Sequence, residues 1–288
     1  MKKIKIIYIV SILFISFNLI KCNLNQNKKN IREGKSNKNE YPKRIISLTT
    51  AATEIIFELG AGDRIVGVSS NSNYPPEVSK IKKIGSSYGS VNIEMVLSLK
   101  PDLIICSKSQ TEIFKEYGIK TYGTTTCTLN DVYKLILEIG EIIGKSSEAE
   151  KIVTLMKKRI NEIVEKQKRF DKKPLVYFES GKTFGKTRGK GSLTNDLIEL
   201  AGGKNIGSEL VGAFPILSNE FIIEKNPDII IVEEYGASID EIKKREAWHK
   251  IKAVQKNKIL KVPIYYTNYT PRCVEAIEAF YKFFYEEK

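Results

Sequence analysis

The run best placed by composition to hold a phosphate is Gly181-Lys182-Thr183-Phe184-Gly185-Lys186-Thr187. A phosphate loop needs four residues between its glycines, so that successive amides converge on the anion, and a helix opening at its Lys-Thr end. Here three residues separate the glycines and the next helical pattern starts near Ser192, which argues against nucleotide hydrolysis. The single histidine, His249 beside Trp248, leaves a triad or zincin-type site without its base or ligands, and no G-x-S-x-G or H-E-x-x-H occurs. The four cysteines at 22, 106, 127 and 273 contain no C-x-x-C pair. Cys106 and Cys127 fall near predicted strand ends, where burial as small apolar residues is expected. No catalytic residues, no metal set and no cofactor are expected, and the chain is read as a non-enzyme.

The residues that do stand out are two carboxylates in a repeat. Glu94 is followed after six residues by Pro101-Asp102-Leu103-Ile104-Ile105, and Glu220 after six by Pro227-Asp228-Ile229-Ile230-Ile231. Each Glu opens a helical pattern, where the N-terminal dipole favours a negative charge, and Asn92 or Ser218 lies two residues earlier as a candidate cap. A helix-opening Glu is common, but a matched pair, one per half, could engage two equivalent cationic sockets on a dimeric partner.

Around this repeat, short β-branched runs alternate with amphipathic helical patterns, the signature of parallel sheets with crossover helices. Strands are predicted at 44–48, 65–68, 103–106, 120–122, 175–178, 229–232 and 259–262. A helical stretch covers 130–170, broken near Gly144. Its second part places Ile152, Leu155, Met156, Ile160, Ile163 and Val164 at helical spacing. A helix of about 25 residues spans about 37 Å and forms a strut that offers few torsions to a bend. Gly202-Gly203 reads as a helix C-cap. The expected fold class is α/β, with two Rossmann-like lobes built on parallel sheets and joined by one long linker helix. The boundaries are 1–21, 22–41, 42–144 (first lobe), 145–170 (linker) and 171–288 (second lobe).

The first 21 residues read as an export signal, with Lys2, Lys3 and Lys5 ahead of an uncharged stretch too short to cross a bilayer comfortably. Leu19-Ile20-Lys21-Cys22 resembles a lipobox, making Cys22 the expected lipidation site, although Lys21 replaces the usual small residue. Residues 22–41, rich in Asn, Lys, Ser and Gly, read as a flexible tether. The chain is expected to be exported, periplasmic or at the cell surface, and held to the membrane by lipid at Cys22. The net charge of +13 suggests nucleic acid, yet its distribution does not: residues 1–21 carry four Lys and no acid, and 22–41 four Lys and one Arg against two Glu, which leaves the body +6. Those body lysines are interspersed with acids, and no basic stretch alternates with stacking aromatics, so no nucleic-acid partner is expected.

Six segments in order carry a family resemblance: 44–54, 66–70 leading to Tyr74-Pro75-Pro76-Glu77, Asn92-Ile93-Glu94 to Pro101-Asp102, 191–206, Ser218-Asn219-Glu220 to Pro227-Asp228, and Thr270-Pro271-Arg272. From about Pro42 onward the chain resembles the helix-linked periplasmic substrate-binding proteins of ABC importers, which take cobalamin, haem and ferric siderophores; its motifs look closest to the cobalamin-binding member. The resemblance implies a monomer with a cleft between its lobes that takes a corrinoid or ferric chelate, a haem receptor or a non-transport surface lipoprotein being the alternatives. It further implies an ABC permease dimer with its ATPase subunits as partner, docked through Glu94 and Glu220. It maps the ligand cleft onto Thr50, Thr53, Asn71, Tyr74, Tyr88, Arg188, Phe214, Tyr266 and Arg272. Tyr88 and Phe214 fall where cleft aromatics are expected, while Asn71 stands where another would be. Arg188 could pair with an anionic chelate or be a solvated loop charge. An axial ligand for haem could come from Tyr88, Tyr235, Tyr265 or Tyr266.

Overall fold

The computed structural model describes residues 41–86 and 89–287; the expected export signal, the expected tether up to residue 40, Cys22 and Tyr88 lie outside the described residues. The first lobe runs β1 (Ile45–Ser47), α1 (Thr50–Glu58), β2 (Ile65–Val68), α2 (Ile93–Ser98), β3 (Leu103–Ser107), α3 (Thr111–Lys115), β4 (Thr121–Thr124) and α4 (Leu129–Ile143). Helix α5 (Ser146–Gln167) leads into the second, with β5 (Leu175–Glu179), α6 (Leu193–Leu200), β6 (Lys204–Asn205), α7 (Asn219–Lys225) and β7 (Ile229–Glu233). Helices α8 (Ile239–Lys244) and α9 (Lys252–Gln255), strand β8 (Ile259–Val262) and α10 (Cys273–Tyr285) complete it.

Both sheets are parallel and share one topology, β2-β1-β3-β4 and β6-β5-β7-β8. The chain therefore leaves the first strand of each lobe on one side and returns on the other. That reversal opens a crevice beyond the carboxyl ends of β1 and β3, and of β5 and β7.

The strand sequences are nearly uninterrupted Ile, Leu and Val because both sheet faces are covered. Ile45, Leu103, Ile105, Val176, Phe178, Ile229 and Ile231 point into a core that runs from one lobe to the other. Their neighbours face outer cores, Ile46, Ile104 and Cys106 in the first lobe and Tyr177, Ile230 and Val232 in the second. Helix α5 lays Ala149, Val153, Met156, Ile160 and Ile163 onto the shared core, a stripe at alternating spacings of four and three. It is about 33 Å long at 1.5 Å per residue.

The Pro-Asp element of the repeat has a structural cause that the sequence did not disclose. Asp102 accepts hydrogen bonds from the amides of Lys43 (2.7 Å) and Arg44 (3.1 Å), and Asp228 accepts one from Leu175 (3.0 Å). Each carboxylate thus clamps the start of the lobe's central strand to the strand that follows the proline. Ahead of each proline the chain turns through a left-handed residue, Lys100 (φ 45°) or Asn226 (φ 48°), which ends the preceding helix. At the other end of these helices Asn92 and Ser218 cap as expected, accepting from Met95 N (2.9 Å) and Phe221 N (3.1 Å). Gly202 (φ 92°) follows α6 and closes it, with Gly203 N bonding back to Ile198 O at 2.9 Å. Among the described residues no helix is long and apolar enough to cross a membrane.

Candidate functional site

The loops at the carboxyl ends of both sheets enclose a cavity of about 1040 Å³. That is the upper end of the range for small-molecule pockets and suits a large ligand.

The first-lobe wall is a surface of hydroxyls and amides. Behind β1, Thr49 caps α1 through Ala52 N (3.2 Å) and leaves Thr50 on the wall; behind β2 come Ser70, Asn71 and Asn73. Behind β3 and β4 come Ser107, Lys108, Ser109 and the run Thr124-Thr125-Thr126. A buried hydroxyl cluster supports this wall: Thr53 Oγ1 donates to Ser47 Oγ (2.9 Å) and lies 3.1 Å from Ser72 Oγ. Asn71 N donates to Ser69 Oγ at 3.2 Å, which sets the turn after β2.

The second-lobe wall adds to the polar Ser192, Thr194, Thr267 and Asn268 a cation and three rings, from Arg188, Phe214, Tyr235 and Tyr269. Two loops pair to place Arg188 and Phe214: Thr187 N donates to Pro215 O (3.0 Å) and Gly189 N to Ala213 O (2.9 Å). Gly189 permits that approach, since a Cβ there would stand 2.3 Å from Gly212 O. The guanidinium of Arg188 consequently lies over the Phe214 ring, 5.1 Å from its centroid. Behind it, Glu233 at the end of β7 accepts from Ser180 Oγ (3.1 Å), Gly181 N (2.9 Å) and Thr267 Oγ1 (3.3 Å), and stands 3.6 Å from Arg188 Nη2.

Of the residues the sequence assigned to the cleft, Thr50, Asn71, Arg188 and Phe214 line this cavity. Four others are not part of its wall. Thr53 is wholly buried in the hydroxyl cluster. Arg272 donates from Nε to Glu54 Oε2 (2.9 Å) and is sandwiched between Tyr74 and Tyr265, 3.6 and 4.2 Å from their centroids. Because Glu54 and Tyr74 belong to the first lobe, that cluster ties the lobes together and occupies both Tyr74 and Arg272. Tyr266 packs edge-on to Phe280 at 6.4 Å against the shared core, and burial pushes its phenol up, which disfavours a phenolate ligand there. The residues missed were Ser107–Ser109, Thr124–Thr126 and Ser192–Thr194, while Tyr235, named only as a candidate haem ligand, joins the wall. Position was the signal for the first two groups, directly behind predicted strands, and a helix start for the third, although Ser, Thr and Lys there resemble any solvated turn.

Other reactive groups lie outside this wall. Burial pushes the Cys106 thiol up to about 11 and Cys273 up to about 12, so both are poor nucleophiles. Cys127 links the lobes, its thiol donating to Gly191 O (2.8 Å) and its carbonyl accepting from Leu193 N (2.5 Å). His249 is exposed, while Trp248 is buried against Arg245 and donates to Asn219 Oδ1 (2.7 Å). Among the described residues no group of three or more His, Cys, Asp or Glu could hold a metal ion. Glu94 and Glu220 are both exposed near the N-termini of α2 and α7. Those helices run back to the strand starts, so they open at the carboxyl end of each sheet, as the cleft does. The carboxyl of Glu220 is held below the usual range by its own backbone N–H and by the Ser218 hydroxyl.

A family model described as periplasmic binding protein matches residues 45–266. The uncharacterized ABC transporter substrate-binding lipoprotein YvrC of Bacillus subtilis (strain 168) is 35% identical over 249 residues, covering 82% of this chain and 78% of that protein. A vitamin B12-binding protein of Vibrio parahaemolyticus serotype O3:K6 is 28% identical over 207 residues, 70% of this chain and 74% of that protein. Among solved structures, a possible iron-binding (periplasmic solute-binding) protein from Staphylococcus epidermidis ATCC 12228 is 30% identical with a TM-score of 0.77, covering 86% of this chain and 100% of that one. These relatives are named as binding proteins rather than enzymes.

Proposed function

The chain belongs to the periplasmic binding protein family as a substrate-binding protein of an ABC transporter, and on that premise we propose that it captures a corrinoid or ferric-siderophore chelate and delivers it to a permease dimer. The observation that carries this reading is the cavity of about 1040 Å³, walled by hydroxyls and amides on one side and by rings and a guanidinium on the other. A chelate arrives with its metal already coordinated. It needs from the protein only a large cleft, flat aromatic surface and hydrogen-bonding groups for its periphery, and those are the groups the two walls offer. The vitamin B12-binding relative supports the corrinoid class, and the possible iron-binding neighbour supports the ferric one.

No chemical step is part of this function. Ligand bridges the two walls, and the core shared across α5 and the Glu54–Arg272 contact limit how far the lobes part. Glu94 and Glu220, at matched helix starts, present the loaded protein to arginine or lysine sockets on the two permease subunits. A lipid on Cys22 and the tether behind it keep the protein near that permease.

Calorimetric titration of the protein with cyanocobalamin, haemin, a ferric trihydroxamate and a ferric tricatecholate tests the reading. One chelate class is expected to bind saturably at one site, with micromolar or tighter affinity. Failure of all four to bind would contradict it.

A further inference from the structure

Arg188 is placed in an unusual state for a cleft arginine. Its side chain is 24% exposed, its Nε is buried without a hydrogen-bond partner, and among the described residues no oxygen accepts a hydrogen bond from the guanidinium. A guanidinium carries five donors, and leaving them unmade in a partly dry site is unfavourable. The ring of Phe214 covers one face, and the Glu233 carboxylate, itself 5% exposed, stands 3.6 Å from Nη2. Glu233 is fixed by three hydrogen bonds from other groups, so it neutralises Arg188 without satisfying its N–H groups.

This arrangement separates hydrogen-bonding capacity from charge. The wall offers unmet donors, and the positive charge behind them is cancelled by a fixed, buried acid. Lys108 is the other wall cation, and it is exposed, so water and salt screen it. A polyanionic chelate brought against this wall would meet Arg188 with its charge already offset by Glu233, and would find little further positive charge to compensate its own as it leaves water. An uncharged chelate whose periphery carries amide or hydroxamate carbonyls would satisfy the donors of Arg188 and bury no uncompensated charge.

We propose that the Arg188–Glu233 pair selects charge-neutral chelates bearing carbonyl oxygens over polyanionic ones, with Glu233 the positioning residue that sets this preference. The inference rests on the receptor reading of the cleft and narrows its cargo.

The test uses two neutral chelates, cyanocobalamin and a ferric trihydroxamate, and one trianionic chelate, a ferric tricatecholate, titrated into wild type, Glu233→Gln and the double variant Arg188→Gln/Glu233→Gln. In wild type at least one neutral chelate is expected to bind at least about 30-fold more tightly than the tricatecholate, a ratio set by charge at short range. Its affinity should change less than about twofold between about 50 and 500 mM salt. Glu233→Gln should tighten tricatecholate binding about tenfold while moving the neutral chelate less than about threefold. The double variant leaves the net charge of the wall unchanged but removes the guanidinium, and should lose about tenfold for the neutral chelate. A tricatecholate that binds wild type as tightly as the neutral chelates would overturn the charge preference while leaving the receptor reading intact, as would a Glu233→Gln variant, folded by circular dichroism, that leaves both affinities unchanged. If no chelate of any charge binds, the receptor reading itself fails.

Discussion

The two lobes are built alike and surfaced differently. Each has its first strand inside a four-stranded parallel sheet with the same order, a capped helix with an exposed Glu near its start, and a Pro-Asp turn whose carboxylate clamps the central strand. Their cleft faces differ in emphasis, although Ser192, Thr194 and Thr267 put hydroxyls on the second wall and Lys108 puts a cation on the first. Thr50, Asn71, Ser107 and Thr124–Thr126 make one wall a field of small hydrogen-bonding groups, and Arg188, Phe214, Tyr235 and Tyr269 make the other aromatic and cationic. Features that set the frame and the outward carboxylates are duplicated, which is what the proposed docking to a dimeric permease would use. Features that line the cavity have diverged, which is what a ligand with two unlike faces would use.

Reversing both duplicated carboxylates should produce the largest effect. With Glu94→Lys and Glu220→Lys together, uptake by the reconstituted importer is expected to fall at least about 100-fold through like-charge repulsion at both sockets. Chelate affinity should stay within about twofold, because neither residue lines the cavity. Equal transport by the double variant would remove the reason for the matched pair.

Next in size is the contact that holds the unlike walls in register. Arg272→Leu leaves Glu54, 7% exposed, without its partner, at a cost of about 3 kcal/mol in chemical denaturation. A loss under about 1 kcal/mol would mean that the shared core and the Cys127 contacts join the lobes without help from this pair.

The walls themselves should respond unequally to truncation. Phe214→Ala removes a ring from the ligand face and should weaken chelate binding about 30-fold, whereas Thr50→Ala, one hydroxyl among many, should weaken it about threefold. Similar losses would show that the ligand is read evenly from both sides. The smallest effect concerns the frame: Lys100 sits at φ 45° where its counterpart is Asn226. Lys100→Asn should add about 0.5 to 1 kcal/mol, because Asn tolerates the left-handed region better than Lys.

Much of the frame was legible before the structure. The Ile-rich runs behind Pro101-Asp102 and Pro227-Asp228 could only be buried strands, and Asn92 and Ser218 announced their caps by spacing alone. Strand β6, two residues long at Lys204–Asn205, gave no β-branched signal. The clamp role of Asp102 and Asp228 was also hidden, because it depends on which strands become neighbours. At the site, Phe214 and Arg188 were accessible through the family resemblance, which maps the cleft onto their loops. Thr53 was misassigned to the cleft because its burial depends on meeting Ser47 and Ser72, and Tyr74 and Arg272 because their mutual packing crosses between lobes.

The central claim is that one ligand engages both walls at once, and hydrogen exchange with and without a saturating concentration of whichever of cyanocobalamin and the ferric chelates binds most tightly tests it most directly. Slower exchange is predicted in first-lobe loops at Thr50 and Asn71 together with second-lobe loops at Arg188, Phe214 and Tyr235. Protection confined to one lobe, or absent from both walls, would contradict the account.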